Sequence, residues 1–241
     1  ALPEAGTMRL DKYAAFAAES RKEIKKLITK GFVTVNGTVI RDCGYDVGDS
    51  DEIFCRGKRV VYKKYIYIMM NKPPGVVSAT EDNVNPTVTD LLPDEFKRFK
   101  PFPVGRLDID TEGLLLMTND GVAAHKLLSP RYKVPKKYYA KVDGDIAKED
   151  IEKFSVGIVL HDGYKTLPAK LCPLPDGRSA FVTIAEGKFH QIKRMFADCG
   201  KHVMFLKRVE FAGLCLDETL KNGECRLLKD EEIQILESIM Q

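Results

Sequence analysis

The chain has 241 residues, 44% hydrophobic and 30% charged, with 18 Gly and 12 Pro. That composition suits one or two globular domains and excludes a disordered, collagenous or low-complexity polymer. The net charge of +3 is uneven, because residues 8–64 carry thirteen Lys or Arg against eight Asp or Glu while the rest is nearly neutral; this fits an anchor for a polyanion as readily as a solvated surface.

Residues 1–7 precede a Met8 that reads as a natural start, so they are taken as an appended remnant. From Arg9 the pattern is helical, with Leu10, Tyr13, Ala14 and Ala17 on one face. Ser20 and Glu23 form a capping box opening a second helix. That helix turns Ile24, Leu27 and Ile28 inward and ends at Gly31. Its outer face carries Arg21, Lys22, Lys25, Lys26 and Lys30. Asn36-Gly37 predicts a two-residue hairpin between Phe32–Val35 and Val39–Ile40, and short strands are expected near 45–47 and 52–54. The basic segment Arg56 to Lys64 reads as a connection, giving a first domain at 8–60, a linker at 61–64 and a second domain at 65–241.

The second domain opens with a strand at 65–70 and a turn at Asn71-Lys72-Pro73-Pro74-Gly75. Short strands and helices alternate irregularly to a final amphipathic helix from about Asp230, with Ile233, Leu236 and Ile239 inward. There is no G-x-G-x-x-G after a strand and no P-loop, so nucleotide-cofactor folds are disfavoured. An α+β fold with a mainly antiparallel mixed sheet is expected.

No apolar run approaches the roughly 18 residues of a membrane span. No basic-then-apolar leader opens the chain either, so a cytosolic protein is expected. The six cysteines and four histidines show neither C-x-x-C nor H-E-x-x-H spacing. The cysteines are read as reduced, small buried hydrophobes, and no metal site is indicated.

Three stretches stand out chemically. In the first, two prolines and two glycines surround Arg106, Asp108, Asp110 and Glu112 between Pro101 and Gly113, making a stiff polar loop that feeds the apolar run Leu114–Met117. Its carboxylates suit a turn that caps backbone amides, a Mg²⁺ site or acid–base glycosidic chemistry, and spacing does not choose among them. The second is Glu186–Phe196. Read as a helix, it places His190, Lys193 and Arg194 on one face opposite Ile192, Met195 and Phe196, and a further basic pair, Lys207-Arg208, follows. The third is Pro135-Lys136-Lys137-Tyr138-Tyr139, opening a strand, where lysine-flanked aromatics suit base stacking as well as they suit a half-buried strand.

The run GRLDIDTEGLLLMTNDG, starting at Gly105, closely resembles the signature of pseudouridine synthases of the small-subunit-rRNA type. MRLDKY (8–13), NKPPGVVS (71–78), KKYY (136–139) and GKFHQIKRMF (187–196) agree with it. Residues 8 to about 60 are similar to the small RNA-binding domain first recognised in a small-subunit ribosomal protein. The resemblance implies a small N-terminal α/β RNA-binding domain followed by a catalytic domain with the pseudouridine synthase fold. The implied reaction isomerises a uridine already in RNA, breaking N1–C1′ and joining C5 to C1′ without cofactor or metal.

By the same resemblance Asp108 is the catalytic carboxylate, acting either as a nucleophile or on a sugar proton. Tyr138 is the tyrosine stacked on the extruded uracil, and Lys193 is the basic residue paired with the aspartate. An ammonium close by favours the ionised form of a carboxylate in a site dried by a flipped base. Asp110 and Glu112 are given no catalytic role. The RNA contacts expected are Arg106, Lys72, Lys136, His190, Gln191 and Arg194 in the catalytic domain, with Arg9, Arg21, Lys22, Lys25 and Lys26 in the small one. HQIKRM and the stretch Thr166–Ala169 resemble the 16S-modifying branch more than the 23S-modifying one, which implies uridine 516 of 16S rRNA. The partner implied is small-subunit ribosomal RNA, naked or partly assembled, with the enzyme monomeric. The other readings are a pseudouridine synthase acting on 23S rRNA, a non-catalytic RNA-binding ribosome assembly factor, and a carboxylate glycosidase or Mg²⁺-dependent transferase.

Overall fold

The structure, a computed structural model, describes residues 8–18, 20–48, 50–60, 62 and 64–240. Residues 1–7 and part of the expected linker, 61 and 63, lie outside them. The chain divides into two units, one running to Ile66 and including Pro93–Lys100, the other comprising Tyr67–Leu92 and Pro101 onward.

In the first unit β1 (Met8–Arg9) leads into α1 (Leu10–Tyr13), which tightens into a 3₁₀ turn at Ala14–Ala17 rather than continuing as one α-helix. The second helix, α2 (Arg21–Thr29), is built as its residues dictate. Ser20 Oγ accepts from the Glu23 amide at 3.1 Å, Ile24, Leu27 and Ile28 are buried, and Gly31 leaves the helix at φ +79°. The strands β2 (Val33–Val35), β3 (Thr38–Val39), β4 (Asp46–Val47), β5 (Ile53–Cys55) and β6 (Lys58–Val60) follow, and the short α3 (Asp94–Lys97) belongs to the same unit. β3-β2-β5-β6 form one sheet, and β4 pairs with β1. Asn36 and Gly37 both adopt positive φ, which lets a two-residue turn match the strand twist. The basic segment after Phe54 is not simply a connection. Arg56 and Gly57 make a second positive-φ turn that returns Lys58–Val60 onto β5 and seats Val60 in the core with Leu10, Ile24 and Val33.

The second unit contains one nine-stranded sheet. Its strands are β7 (Tyr67–Lys72), β8 (Phe102–Pro103), β9 (Glu112–Thr118), β10 (Lys136–Val142), β11 (Lys170–Pro173), β12 (Ser179–Ile184), β13 (Val203–Phe211), β14 (Leu214–Cys215) and β15 (Cys225–Leu227). The order is β11-β12-β10-β13-β9-β7-β15, with β14 beside β13 and β8 beside β9. The β13–β9 contact is parallel, whereas the other named pairings are antiparallel. Leu114, Leu115, Leu116 and Met117 are all 0% exposed, as expected for a strand covered on both faces. α4 (Gly121–Leu128) and α7 (Asp230–Met240) close a core with Met69, Leu116, Leu127 and Leu236. α5 (Lys148–Val156) and α6 (Gln191–Ala197) meet through Phe154 and Phe196, whose ring centroids are 5.0 Å apart.

Among the described residues no helix is long and apolar enough to cross a membrane. The cysteines are free, but only Cys55 is buried and Cys215 is exposed, so reading them all as core residues was wrong.

Candidate active site

The parallel seam between β13 and β9 is short, pairing Lys207 with Glu112 and Arg208 with Gly113. Gly113 sits at φ +103°, and a Cβ there would lie 2.3 Å from the Arg208 carbonyl oxygen. Only glycine permits this approach, and it fixes where β9 begins and where the loop before it must stand.

That loop is a turn, with the Thr111 amide donating to the Asp108 carbonyl at 3.0 Å. Two side chains, one at the end of β7 and one in the segment after it, hold it. The Ser78 hydroxyl both donates to the Leu107 carbonyl and accepts from the Leu107 amide, each at 3.0 Å. Lys72 is the last residue of β7 and is 0% exposed. Its ammonium lies 2.9 Å from the carbonyls of Pro73 and Thr111, 3.1 Å from that of Asp108 and 3.3 Å from that of Ile109. Burial draws its pKa down to about 8, with Asp110 and Asp108 opposing. Lys72 is therefore no RNA contact. The strand runs two residues further than the sequence pattern suggested and carries it inward to brace the loop.

Asp108 Oδ2 lies 3.1 Å from Lys193 Nζ, and Oδ1 lies 3.7 Å from His190 Nε2. Lys193 also donates to Asp110 Oδ1 at 2.6 Å, so one ammonium serves both carboxylates. Partial burial works against the Lys193 charge, but the hydrogen bonds to Asp110 and Asp108 outweigh it and hold its pKa above the ordinary value. Partial burial likewise opposes the Asp110 carboxylate, and the Lys193 hydrogen bond and charge overcome this to keep its pKa low. The sequence reading gave Asp110 no part in this pairing. Side-chain reach from a turn brings the two aspartates together here, not the alternation of an extended strand.

An open cleft of about 420 Å³ lies against this cluster. Among the described residues Asp108 is the one carboxylate on its wall, and Arg106, Tyr138, Lys188, His190 and Leu206 are among the other lining residues. Tyr138 is 7% exposed at the centre of β10, paired with Val182 and Arg208. Lys193 is not on the wall and acts on the cleft through Asp108. Thr111 lines the cleft with a buried hydroxyl that has no hydrogen-bond partner among the described residues. No cluster of three His, Cys, Asp or Glu side chains among these residues could hold a metal ion.

The structure sorts the expected RNA contacts. Arg106 is exposed on the rim. His190 precedes α6 in a left-handed conformation instead of sharing a helical face with Lys193 and Arg194, and it stacks on Phe189 with centroids 3.8 Å apart. Arg194 turns away to Asp162 at 2.5 Å. Two further expectations are overturned. Lys136 points its ammonium at the Val134 carbonyl, 3.0 Å away, over the Phe211 ring, and burial lowers its pKa to about 8. Gln191 is 4% exposed, donates to Glu186 at 2.9 Å and accepts from the Lys188 amide, so it braces the loop before α6. Arg208, half of the second basic pair, is 2% exposed and donates to the Leu114 carbonyl at 2.7 Å. In the first unit Arg21, Lys22, Lys25 and Lys26 are exposed along α2. Arg9 is exposed too, though paired with Asp11 at 3.1 Å. Ser78, which the sequence reading passed over, ends the NKPPGVVS run, and only its partner Leu107 reveals its purpose.

Residues 66–198 match the family model described as RNA pseudouridylate synthase, and residues 8–53 match the S4 domain. The chain belongs to the RNA pseudouridylate synthase family. It is 46% identical over 95% of its length to "Uncharacterized RNA pseudouridine synthase YtzG" of Bacillus subtilis, covering 98% of that protein. It is 41% identical to the ribosomal large subunit pseudouridine synthase B of Bacillus subtilis, covering 96% of each chain. To the ribosomal small subunit pseudouridine synthase A of Vibrio cholerae it is 40% identical, covering 94% of this chain and 98% of that one. A crystal structure of a pseudouridylate synthase superposes with a TM-score of 0.68 at 33% identity, covering 95% of this chain and all of that one. The enzyme is thus an RNA pseudouridine synthase with an N-terminal S4 domain.

Proposed function

We propose that this synthase isomerises a uridine of 16S ribosomal RNA, uridine 516, with Asp108 as the catalytic carboxylate. The observation that supports the chemical assignment is that Asp108 is the one carboxylate among the described residues that lines the cleft, while its oxygen meets the Lys193 ammonium at 3.1 Å. The reaction is an internal exchange. The N1–C1′ bond breaks, uracil turns, C5 joins C1′, the C5 proton departs and N1 gains one, so atoms balance with no added reactant. Unstacking the nucleotide costs a few kcal/mol. The Tyr138 ring on the cleft wall supplies an apolar surface for the extruded base, and Arg106 on the rim supplies charge for its backbone. Lys193 is a positioning residue whose ammonium, 3.1 Å from Asp108 Oδ2, fixes the orientation of that carboxylate toward the cleft. His190 beside Asp108 and the Thr166–Ala169 stretch favour the small subunit. The Leu167 amide donates to Glu186, which also accepts from Gln191 on the cleft wall. The enzyme works in the cytoplasm in this reading, where ribosomal RNA is made.

Tritium release from 5-³H-uridine-labelled 16S and 23S rRNA, each naked and as partly assembled particles, tests the proposal. Release from the 16S substrate that Asp108→Asn abolishes is expected, with one modified position by primer-extension mapping. Release from 23S alone would overturn the small-subunit assignment, and release surviving Asp108→Asn would overturn the catalytic one.

A further inference from the structure

Successive residues of a strand point to opposite faces, so β10 presents different chemistry on its two sides. Tyr138 and Lys136 belong to the side that bears the cleft. Lys137, Tyr139 and Lys141 belong to the other. Register places Phe181 and Lys207 beside Tyr139, and Phe205 beside Lys141. On β11, Lys170 is opposite Thr183 and joins the same face. All these side chains are half-buried or exposed.

Two features of this back face call for a ligand. Its lysines, 137, 141, 170 and 207, form no salt bridge among the described residues, while Glu210 is the acid that the register adds beside Lys137. Between them lies a rigid aromatic platform. Tyr139 is fixed by its hydroxyl to Ser179 at 3.0 Å and meets Phe181 and Phe205 edge-on with centroids 6.0 Å away. Lys137 Nζ sits 4.9 Å from the Phe181 centroid. The loop after β14 bounds one side of this surface and leaves a groove of about 1060 Å³ lined by Lys137, Tyr139, Phe181 and Lys207. Glu210 also lines the groove, and Asp217 and Glu218 stand on its loop side, with Asp217 already engaged by Arg226 at 2.6 Å.

We propose that this back face is a second RNA-binding surface that takes single-stranded RNA, phosphates on the lysines and bases on the aromatic rings. Cationic side chains interleaved with aromatics are the means by which proteins hold unpaired strands, and sheet faces bearing aromatics stack bases directly. A duplex would hide its base faces from the rings, and an acidic protein would leave them without flat partners. The surface lies across the sheet from the cleft, so an RNA bound there is a segment flanking the target, not the target itself.

The probe is fluorescein-labelled oligouridylate of twelve nucleotides, titrated by anisotropy against the full chain at several salt concentrations. Neutralising Lys137, Lys141 and Lys207 together as glutamines is expected to reduce the log–log salt slope by about 2, at roughly 0.7 per lysine for single strands. Phe205→Ala is expected to weaken binding about fivefold or more. Both variants are expected to keep wild-type melting and wild-type kcat for tritium release on saturating rRNA. Photocrosslinks from 4-thiouridylate probes are expected on the peptides of β10 and β13 that carry Tyr139 and Phe205. An unchanged salt slope in the triple variant overturns the proposal. So does a reduced slope with normal binding by Phe205→Ala, because scattered lysines would produce that without stacking.

Discussion

Replacing Ser78 by alanine removes one oxygen and is expected to disable the site from a distance. Ser78 is 3% exposed and Leu107 5%, and the hydroxyl satisfies both the amide and the carbonyl of Leu107. Neither group has another backbone partner among the described residues. A buried polar group left unpaired costs about 1–3 kcal/mol, so two together give a loss of about 2–6 kcal/mol. That is a large fraction of the roughly 5–15 kcal/mol available to a typical domain. The damage falls on the residue before Asp108, where a shift of about 1 Å can cost on the order of 100-fold in rate. Urea denaturation followed by circular dichroism reads the first effect, hydrogen exchange at the Leu107 amide localises it, and single-turnover tritium release reads the second. A stability loss under about 0.5 kcal/mol, well below the cost of even one orphaned group, together with unchanged turnover would refute the bracing role.

Lys193→Met leaves Asp108 and Asp110 facing each other without their shared cation. Turnover is expected to fall by about 100-fold or more while rRNA affinity in filter binding is retained. Because the Lys193 pKa is raised, the wild-type alkaline limb attributable to it is expected above 10.5, the ordinary lysine value. Lys72 behaves oppositely. Its pKa falls from 10.5 to about 8 on folding, so the unfolded chain holds more protons between those values and stability rises with pH there. Its contribution is complete above the unfolded value and lost as pH drops through about 8. Subtracting the Lys72→Met stability curve is expected to isolate that slope from the similar one of Lys136. Gly113→Ala is expected to cost about 1–3 kcal/mol by strain at positive φ alone, with the 2.3 Å approach of its Cβ to the Arg208 carbonyl oxygen adding to that loss, and thermal melting checks it.

Local signals in the chain sufficed for much of the architecture. Ser20, Asn36-Gly37 and Gly31 act through bonds to residues three or four away or through their own backbone angles, so α2 and the first hairpin were legible without tertiary information. The uniform burial of Leu114–Met117 followed from composition. The loop that carries Asp108 was conspicuous for its prolines, glycines and charges. The turn at Arg56-Gly57 was missed because a basic strand on an edge carries little hydrophobic alternation.

What the chain alone could not decide was which way each charged side chain points and whom it meets. Lys136 and Lys137 are adjacent and chemically alike, yet the strand's twofold alternation buries one ammonium near the cleft side and offers the other to solvent on the back face. Lys72 looked like a cation available to phosphate until β7 was seen to carry it into the protein beneath the Asp108 loop. Asp110 joined Asp108 on Lys193 across more than eighty positions of sequence. Residue type and local spacing determine helices, turns and candidate chemistry because those depend on near neighbours. Burial, pairing and charge state are set by atoms that the fold alone brings together.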